Sequence, residues 1–293
     1  MINVNIKSFL YFHLFLINII IKCEDSLKSC WGQPFNKESS YINTDYLSFP
    51  NGIESEDVVI PKIFHQLWFD FGKGSMVPEH FEKNTKRLLE LHPGWKYKLW
   101  TEDEVDQLIQ DNLPDFLQIW RQYDVKIKKH DSARPVILSK YGGVYLDHDF
   151  IPIKNIEPLL GNNTFVIANE DNDCMRIGNA FIGSIPKHPI FLEVLNDMYQ
   201  EDTITKDVLS ATGPLLWTST IEHYLAEDSK ASEGFTIYSP KYLYPCSINK
   251  KDNFEKYTFE NIELIKEKFP ECFLFQQFAS TWWPDEYKKK SDM

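Results

Sequence analysis

Apolar positions along the chain follow two spacings, and the order of those spacings predicts the fold. Short alternating runs rich in β-branched and aromatic residues predict strands, whereas runs with apolar residues three or four apart predict helices. The predicted strands lie at 58–68, 95–100, 144–146 and 164–168, and the predicted helices at 78–92, 101–110, 116–123, 189–199 and 214–225. Strands that alternate with helices are typical of an α/β domain with a mainly parallel sheet flanked by helices.

The rest of the sequence is organised around the stretch 130–150. An apolar helical run reaches a pair of glycines at 142–143, and glycine favours the left-handed turn that ends many helices. A β-branched and aromatic segment, 144–146, then predicts a buried strand, and Asp147 and Asp149 follow it. Because side chains alternate along a strand, both acids are expected on one face at the strand end, where open α/β sheets bind their ligands.

Two carboxylates in this position suit a hard divalent cation that must also hold phosphate oxygens. Mg²⁺ or Mn²⁺ takes one or two protein carboxylates and fills its other positions with water and substrate phosphate. The pattern alone is a weak signal, because a second D-x-D copy occurs at 171–173 in a polar stretch typical of a loop. The metal hypothesis also requires that neighbouring arginines or lysines do not sequester Asp147 and Asp149.

Two local signals set the expected helix boundaries. Thr101 followed by Glu104 matches a capping box, in which each side chain caps the other residue's backbone N–H at a helix start. Pro135 lies inside the helix predicted before the glycine pair, and an interior proline costs about 3 kcal/mol because it removes a backbone hydrogen bond. We therefore expect a break or a fresh helix start between 131 and 135.

The composition limits the classes of function. The chain has 293 residues, 43% hydrophobic and 15% aromatic, which is enough for one α/β domain with a large core. Lysine and arginine total 31 against 43 aspartates and glutamates, so the formal net charge is −12. Nucleic acid is not expected as a partner, because phosphate backbones are bound through clustered basic residues that this sequence lacks.

The amino terminus has the features of a secretory address. The mostly apolar run 9–21 is short for a bilayer span of about 20 residues, but it fits the core of a signal peptide. Segment 1–22 is therefore interpreted as a signal peptide or a short signal anchor, 23–56 as a stem or linker, and 57–293 as the catalytic domain. That domain would face the lumen of the endoplasmic reticulum or Golgi, in a type II membrane protein or a secreted one. A glycosylation sequon at 162–164 agrees with lumenal exposure.

The central block carries a resemblance to a known family. Asp131 and Arg134, followed by 138–149 (LSKYGGVYLDHD), are similar to the DXD-containing sugar-transferase block of glycosyltransferase family 32. That family includes yeast-type α-mannosyltransferases of glycan and sphingolipid synthesis. It is related to the α-1,4-galactosyltransferases and, more distantly, to the glucosylating clostridial toxins. The resemblance extends over about 60–282.

This resemblance implies a GT-A fold, the nucleotide-sugar-binding α/β architecture, and a metal-dependent, retaining glycosyltransferase. A hexose (mannose, galactose or glucose) would pass from GDP-mannose or a UDP-hexose to a glycan or glycolipid acceptor. By the same resemblance, Asp149 would bind Mn²⁺ or Mg²⁺ directly. Asp147 would bind ribose or reach the metal through water.

The resemblance also implies the other site residues. Asp131 and Arg134 would bind sugar hydroxyls, Trp68 would stack on the base, and Asn179 would lie near the transferred sugar. The implied donor-binding residues are Trp68, Asp131, Arg134, Tyr145, Ser280 and Trp282, and the implied catalytic residues are Asp147, Asp149 and Asn179.

Two alternative functions stay open. Gln276 and Gln277 occupy positions where relatives often carry histidines, and a neutral glutamine is a weaker partner for a cation. A lumenal sugar-binding homologue with weak or no catalytic activity is therefore the second interpretation. An aspartate-nucleophile phosphohydrolase is the third, although its acids usually follow the first strand of the domain, whereas these lie in mid-chain.

Overall fold

The computed structural model describes residues 60–71, 76–171, 176–227, 233–246 and 256–279. The segments 1–22 and 23–56, interpreted above as a signal and a stem, lie outside the described residues. Within the described ranges, no helix combines the length and the apolar character that a membrane span requires.

The described residues form a six-stranded sheet and a separate two-stranded sheet. The strands are β1 (Ile63–Leu67), β2 (Lys96–Trp100), β3 (Gly143–Leu146), β4 (Phe150–Pro152), β5 (Phe165–Asp171), β6 (Arg176–Ser184), β7 (Phe235–Tyr238) and β8 (Leu274–Gln276). The α-helices are α1 (Glu79–Leu91), α2 (Glu102–Asn112), α3 (Pro114–Gln122), α4 (Lys126–Tyr141), α5 (Glu157–Leu160), α6 (Ile190–Met198), α7 (Val208–Ala211), α8 (Pro214–Glu227) and α9 (Ile262–Lys268). Short 3₁₀ segments lie at Glu201–Ile204, Pro240–Tyr242 and Phe259–Asn261.

The larger sheet has the strand order β2-β1-β3-β6-β5-β7. β1 is parallel to β2 and β3, and β5 is parallel to β7, whereas β6 is antiparallel to both of its neighbours, so three of these five pairings are parallel. β5 and β6 follow each other in the chain, and an antiparallel pair needs only a short connection. The predicted α/β fold, with a mainly parallel sheet flanked by helices, is confirmed.

Two predicted helix boundaries are also confirmed. The Thr101 side chain accepts the N–H of Glu104, and the Glu104 carboxylate accepts the N–H of Thr101, so α2 begins with a capping box. α4 ends at the glycine pair, where Gly142 has a φ of +60° and Gly143 a φ of +92°. A Cβ on Gly143 would lie 2.7 Å from the carbonyl oxygen of Ile63, so glycine is what allows β3 to approach β1 there.

α4 is one continuous helix, so the predicted break near Pro135 is wrong. The segment 131–139 is buried along its whole length. Burial of one aliphatic side chain contributes about 1.5–3 kcal/mol, so the buried aliphatic residues that follow the proline outweigh its cost of about 3 kcal/mol. As a result, Asp131 and Arg134 stay one helical turn apart on the same side of α4.

The sheet separates two apolar clusters, and β3 contributes to both. Tyr145 packs into the cluster that contains Trp217, whereas Val144 and Leu146 pack into the cluster on the other face. Side chains alternate along a strand, so Asp147, which follows Leu146, returns to the face of Tyr145. That face carries α4.

His65 links the stability of the fold to pH. Its Nδ1 accepts the N–H of Trp100 at 3.1 Å, so Nε2 carries the proton and donates to the carbonyl oxygen of Gly142 at 3.0 Å. Burial lowers the pKa of His65 to about 4. If the ring were protonated, the proton on Nδ1 would face the N–H of Trp100, and two donors would repel each other. The neutral form of His65 is therefore required.

We expect the stability that neutral His65 contributes to be complete above pH 6.5 and lost as the pH falls from 6.5 towards about 4. The reason is that the unfolded chain takes up the proton first. Urea unfolding measures this: the stability difference between wild type and His65→Gln should narrow by about 2 kcal/mol from pH 7 to pH 5. A difference that stays constant over this range would contradict the prediction.

Candidate active site

The two acids of the D-x-D pattern lie in the turn that joins β3 to β4. The backbone N–H of Asp147 donates to the carbonyl oxygen of Ala180 at 2.9 Å, which keeps Asp147 against β6. Asp149 is beyond the end of β3, so the expectation that strand alternation positions both acids is wrong for Asp149. The physical reason is that β4 pairs with β8 instead of the larger sheet, and the chain must turn after β3 to reach it.

A buried arginine holds Asp147. Arg134 Nη2 lies 3.1 Å from Asp147 Oδ1 and 3.0 Å from Asp131 Oδ1. Arg134 Nη1 donates to the carbonyl oxygen of Asn179 at 2.9 Å. The Tyr145 hydroxyl donates to Asp147, and the guanidinium lies 5.0 Å from the centre of the Tyr145 ring. Arg134 thus joins four residues that the sequence assigned to the site into one network, named here the Arg134 network.

The Arg134 network limits what Asp147 can do. The metal hypothesis required acids that no neighbouring arginine sequesters, and Asp147 does not meet that condition fully. Burial raises the pKa of Asp131 to about 7 and raises the pKa of Asp147 as well, while the Arg134 charge acts in the opposite direction on both. The Asp147 side chain is still 23% exposed, so a ligand can reach it from one side.

Asp149 is held by neutral donors from a distant part of the chain. Its Oδ2 accepts the backbone N–H of Ala279 at 2.9 Å, and its Oδ1 lies 3.4 Å from Nε2 of Gln276. Its carbonyl oxygen accepts the N–H of Gln277 at 3.0 Å. We name the segment 274–279 the C-terminal clasp. Within the described ranges, no lysine or arginine pairs with Asp149.

These surroundings fit a divalent cation. Burial, and then the charge of Asp147, raise the pKa of Asp149 to about 6, because a carboxylate without a cation nearby is poorly stabilised. Gln276 Oε1 is buried and has no hydrogen-bond partner among the described residues. Carboxylate and amide oxygens are hard ligands that suit Mg²⁺ and Mn²⁺.

The described residues contain no group of three or more His, Cys, Asp or Glu side chains placed to hold a metal. A site with few protein ligands is what Mg²⁺ needs when it shares its coordination with water and substrate phosphates. The Asp149 carboxylate and Gln276 Oε1 fit an ion that is bound jointly by the protein and a phosphate-bearing ligand.

Trp68 lies beside the turn that carries the acids. Its ring meets His148 edge to face at 5.7 Å and Phe81 at 6.2 Å, and His148 is the residue between the two acids. Trp68 is half-buried, so part of its ring can still be reached by a flat ligand. The structure thus brings Trp68 next to the D-x-D turn.

Two of the predicted donor-binding residues, Ser280 and Trp282, lie outside the described residues, and their role stays a prediction.

The second D-x-D copy begins in a strand and not in the loop that was predicted for it. Asp171 is the last residue of β5 and is 4% exposed, because it pairs with Arg176 of β6 across an irregular register. The remainder of that copy, 172–173, is outside the described residues.

A second polar group, which was not predicted from the sequence, lies beside the acids. Arg176 Nε donates to Glu170 Oε1, and their side chains are 8% and 11% exposed. Tyr244 is 1% exposed, and burial, then the negative charges of Glu170 and Asp147, raise its pKa well above the usual value. Opposite charges on two successive strands could have indicated the ion pair. No local pattern marks Tyr244.

The fold and the site together define a class of protein. An α/β sheet in which a central strand leads into two carboxylates is typical of enzymes that bind a ligand at the carboxyl end of that strand. Residues 78–166 match the family described as "glycosyltransferase sugar-binding region containing DXD motif". The chain belongs to this family of DXD-containing glycosyltransferases, and the resemblance predicted from the sequence is confirmed.

Individual relatives extend the similarity beyond the matched segment. An uncharacterized glycosyltransferase of Acanthamoeba polyphaga mimivirus is 30% identical over 67% of this chain and 77% of its own length. A mannosyl phosphorylinositol ceramide synthase of Saccharomyces cerevisiae is 31% identical over 81% of this chain, but the match spans only 62% of that enzyme. The lactosylceramide 4-alpha-galactosyltransferase of Mus musculus is 30% identical over 49% of this chain and 37% of its own. Among solved structures, the PaToxG glycosyltransferase aligns with 80% of this chain and 84% of its own, at 16% identity and a TM-score of 0.45.

Proposed function

We propose that the chain is a metal-dependent, retaining glycosyltransferase of the GT-A type that moves a hexose from a nucleotide sugar to a glycolipid or glycan. One contrast carries the proposal. Asp147 is paired with Arg134, whereas Asp149 accepts hydrogen bonds from neutral groups alone among the described residues, next to the unpartnered Gln276 Oε1. A carboxylate kept free of cations in a partly buried turn is suited to receive one from solution.

Asp149 and Gln276 are the residues that would hold Mn²⁺ or Mg²⁺. The ion, when bound, supplies positive charge against the negative charge that grows on the departing nucleoside diphosphate. Asp147, fixed by Arg134, is proposed to bind the ribose or to reach the ion through water. The C-terminal clasp keeps Asp149 in place through the backbone N–H groups of Gln277 and Ala279.

The Arg134 network is proposed to place the groups around the transferred hexose. Thr212 Oγ1 donates to Asp131 Oδ2 at 3.4 Å, and Asn179 Nδ2 donates to the Thr212 carbonyl oxygen at 3.4 Å, so these side chains are held in fixed positions. Rigid placement lowers the entropy cost of reaching the reactive geometry. Trp68 is proposed to stack on the nucleotide base.

The class of substrates follows from the relatives. The yeast relative is named for the mannosyl phosphorylinositol ceramide that it makes and the mouse relative for lactosylceramide, and both names refer to ceramide lipids that carry a polar head group. We therefore favour a glycolipid acceptor and a mannose or galactose donor, GDP-mannose or UDP-galactose. The segment 1–22 would hold the domain near the membrane, in the lumen of the secretory pathway.

A panel of GDP- and UDP-sugars, incubated with the purified chain, Mn²⁺ and a ceramide glycolipid that can accept the hexose, tests this proposal. We expect release of nucleoside diphosphate from one donor, and loss of this release when a chelator removes the metal. Binding of a nucleotide sugar without turnover would instead support the weak or inactive homologue, which the neutral Gln276 and Gln277 favour. Phosphate release from simple phosphate esters would indicate a phosphohydrolase.

A further inference from the structure

The hydroxyl of Tyr244 is a buried polar group that forms no hydrogen bond with the described residues. The residue is 1% exposed, and its Oη has no hydrogen-bond partner among the described residues. A hydroxyl removed from water without a partner costs free energy, so such groups are rare unless a ligand or a water satisfies them.

A second oxygen without a hydrogen bond to the described residues, Oε2 of Glu170, lies near the Tyr244 hydroxyl. The Oε1 of Glu170 accepts from Arg176, whereas its Oε2 accepts no hydrogen bond from a described residue. A Cβ on Gly178 would lie 3.0 Å from Tyr244 Oη and 3.1 Å from Glu170 Oε2. The two oxygens therefore converge on one point of β6, and the absence of a side chain at Gly178 leaves room for both.

This pair lies beside the proposed metal ligand. The Tyr244 ring packs at 5.6 Å from that of Phe150, the residue after Asp149, and at 6.2 Å from that of Phe278 in the C-terminal clasp. A cation at Asp149 that holds the diphosphate would bring the attached hexose near that carboxylate. Glu170 and Tyr244 are thus in the region where the hexose belongs.

The chemistry of the pair favours hydroxyl groups over phosphate. A carboxylate repels the negative charge of a phosphate but accepts hydrogen bonds from hydroxyls, and a phenol can donate to a neighbouring hydroxyl oxygen. In contrast, the Asp131 carboxylate already accepts from Arg134 and Thr212, and Arg134 Nη2 is shared between Asp131 and Asp147.

We propose that Glu170 and Tyr244 form a subsite that binds hydroxyl groups of the transferred hexose, with Arg176 as the residue that positions Glu170. The inference rests on the proposed function and deepens it, because it names the part of the donor that this second polar group recognises. It predicts that the pair affects the affinity for a nucleotide sugar without affecting the affinity for the nucleoside diphosphate alone.

Calorimetric titration in the presence of Mn²⁺ tests this prediction with four probes: GDP, UDP, GDP-mannose and UDP-galactose. For the donor that the wild-type chain binds, we compare the Kd of the nucleotide sugar with that of its diphosphate. Glu170→Gln should raise the ratio of these Kd values at least about tenfold, and Tyr244→Phe about fivefold. The Kd of the diphosphate should stay within about twofold of wild type.

Thermal unfolding without ligand gives a second readout. Because the Tyr244 hydroxyl has no partner among the described residues, Tyr244→Phe should unfold at the wild-type temperature or above it. Tyr238→Phe is the matched control: its hydroxyl donates to the carbonyl oxygen of Leu159, so its loss should lower the unfolding temperature and leave the Kd ratio unchanged. Glu102→Gln, which breaks the ion pairs with Lys126 and Lys129, is the control for Glu170→Gln.

The outcomes separate this inference from the proposed function. An unchanged Kd ratio in both variants, with normal binding by wild type, would overturn the subsite alone. An equal loss of affinity for the sugar nucleotide and the diphosphate would also overturn it, because the pair would then act on the metal or the phosphates. A wild-type chain that binds none of the four probes would overturn the proposed function together with the subsite.

Discussion

Replacing Asp149 with asparagine is expected to abolish Mn²⁺ binding and to lower the transfer rate by roughly a thousandfold or more. Asparagine keeps the size of the side chain and an oxygen for the N–H of Ala279, but it removes the charge that attracts the cation. The variant should unfold at the same temperature as wild type or above it. A neutral side chain avoids the burial of charge that raises the pKa of Asp149 to about 6.

Three measurements on purified variants check this prediction: Mn²⁺ binding by titration, transfer with the best donor of the panel, and thermal unfolding. Asp103→Asn, an exposed acid on α2, is the matched control and should leave all three unchanged. Asp147→Asn should lower transfer but retain most of the Mn²⁺ affinity. The affinity is retained because the negative charge of Asp147 is already paired with Arg134. Full Mn²⁺-dependent transfer by Asp149→Asn would show that Asp149 is not the metal ligand.

The order of helices and strands from β1 to β3 could be predicted from the sequence because local patterns decide it, whereas β4, β7 and β8 were not predicted. The helix predicted at 78–92 is α1 and the strand predicted at 95–100 is β2, each within one residue or so at its ends. A capping box acts over three residues, and a glycine pair needs only the backbone angles of its own turn. The D-x-D block was identified for the same reason: its residues are close together in the chain.

The position of Asp149 could not be predicted, because it depends on contacts between distant segments. The backbone N–H that holds its carboxylate belongs to Ala279, 130 residues further along the chain. The continuity of α4 through Pro135 likewise depends on burial by other elements, which local propensity does not contain. Tyr244 lies beside the acids because its ring packs against Phe150 and its hydroxyl lies next to Gly178 of β6, and a single tyrosine in the sequence gives no indication of such contacts.

The second prediction with a large effect concerns the removal of Arg134 from the Arg134 network. Arg134→Ala should lower the stability of the fold by about 3–5 kcal/mol, because it leaves Asp131 and Asp147 buried without the cation that compensates them. Transfer should be lost as well, since the same guanidinium holds the backbone of Asn179. Urea unfolding and the donor assay measure the two effects. A stability within about 1 kcal/mol of wild type would contradict the assigned role of the network.

Two further variants separate charge from geometry in this network. Arg134→Lys keeps the positive charge but not the planar fork that reaches Asp131, Asp147 and the Asn179 carbonyl together, so it should recover stability more than transfer. Adding Asp131→Asn to Arg134→Met should recover part of the lost stability, because one uncompensated buried carboxylate disappears. The double variant should remain inactive, since the guanidinium that orients the Asp147 carboxylate and holds the Asn179 backbone is gone. If it regained transfer, the arginine would be needed for folding alone.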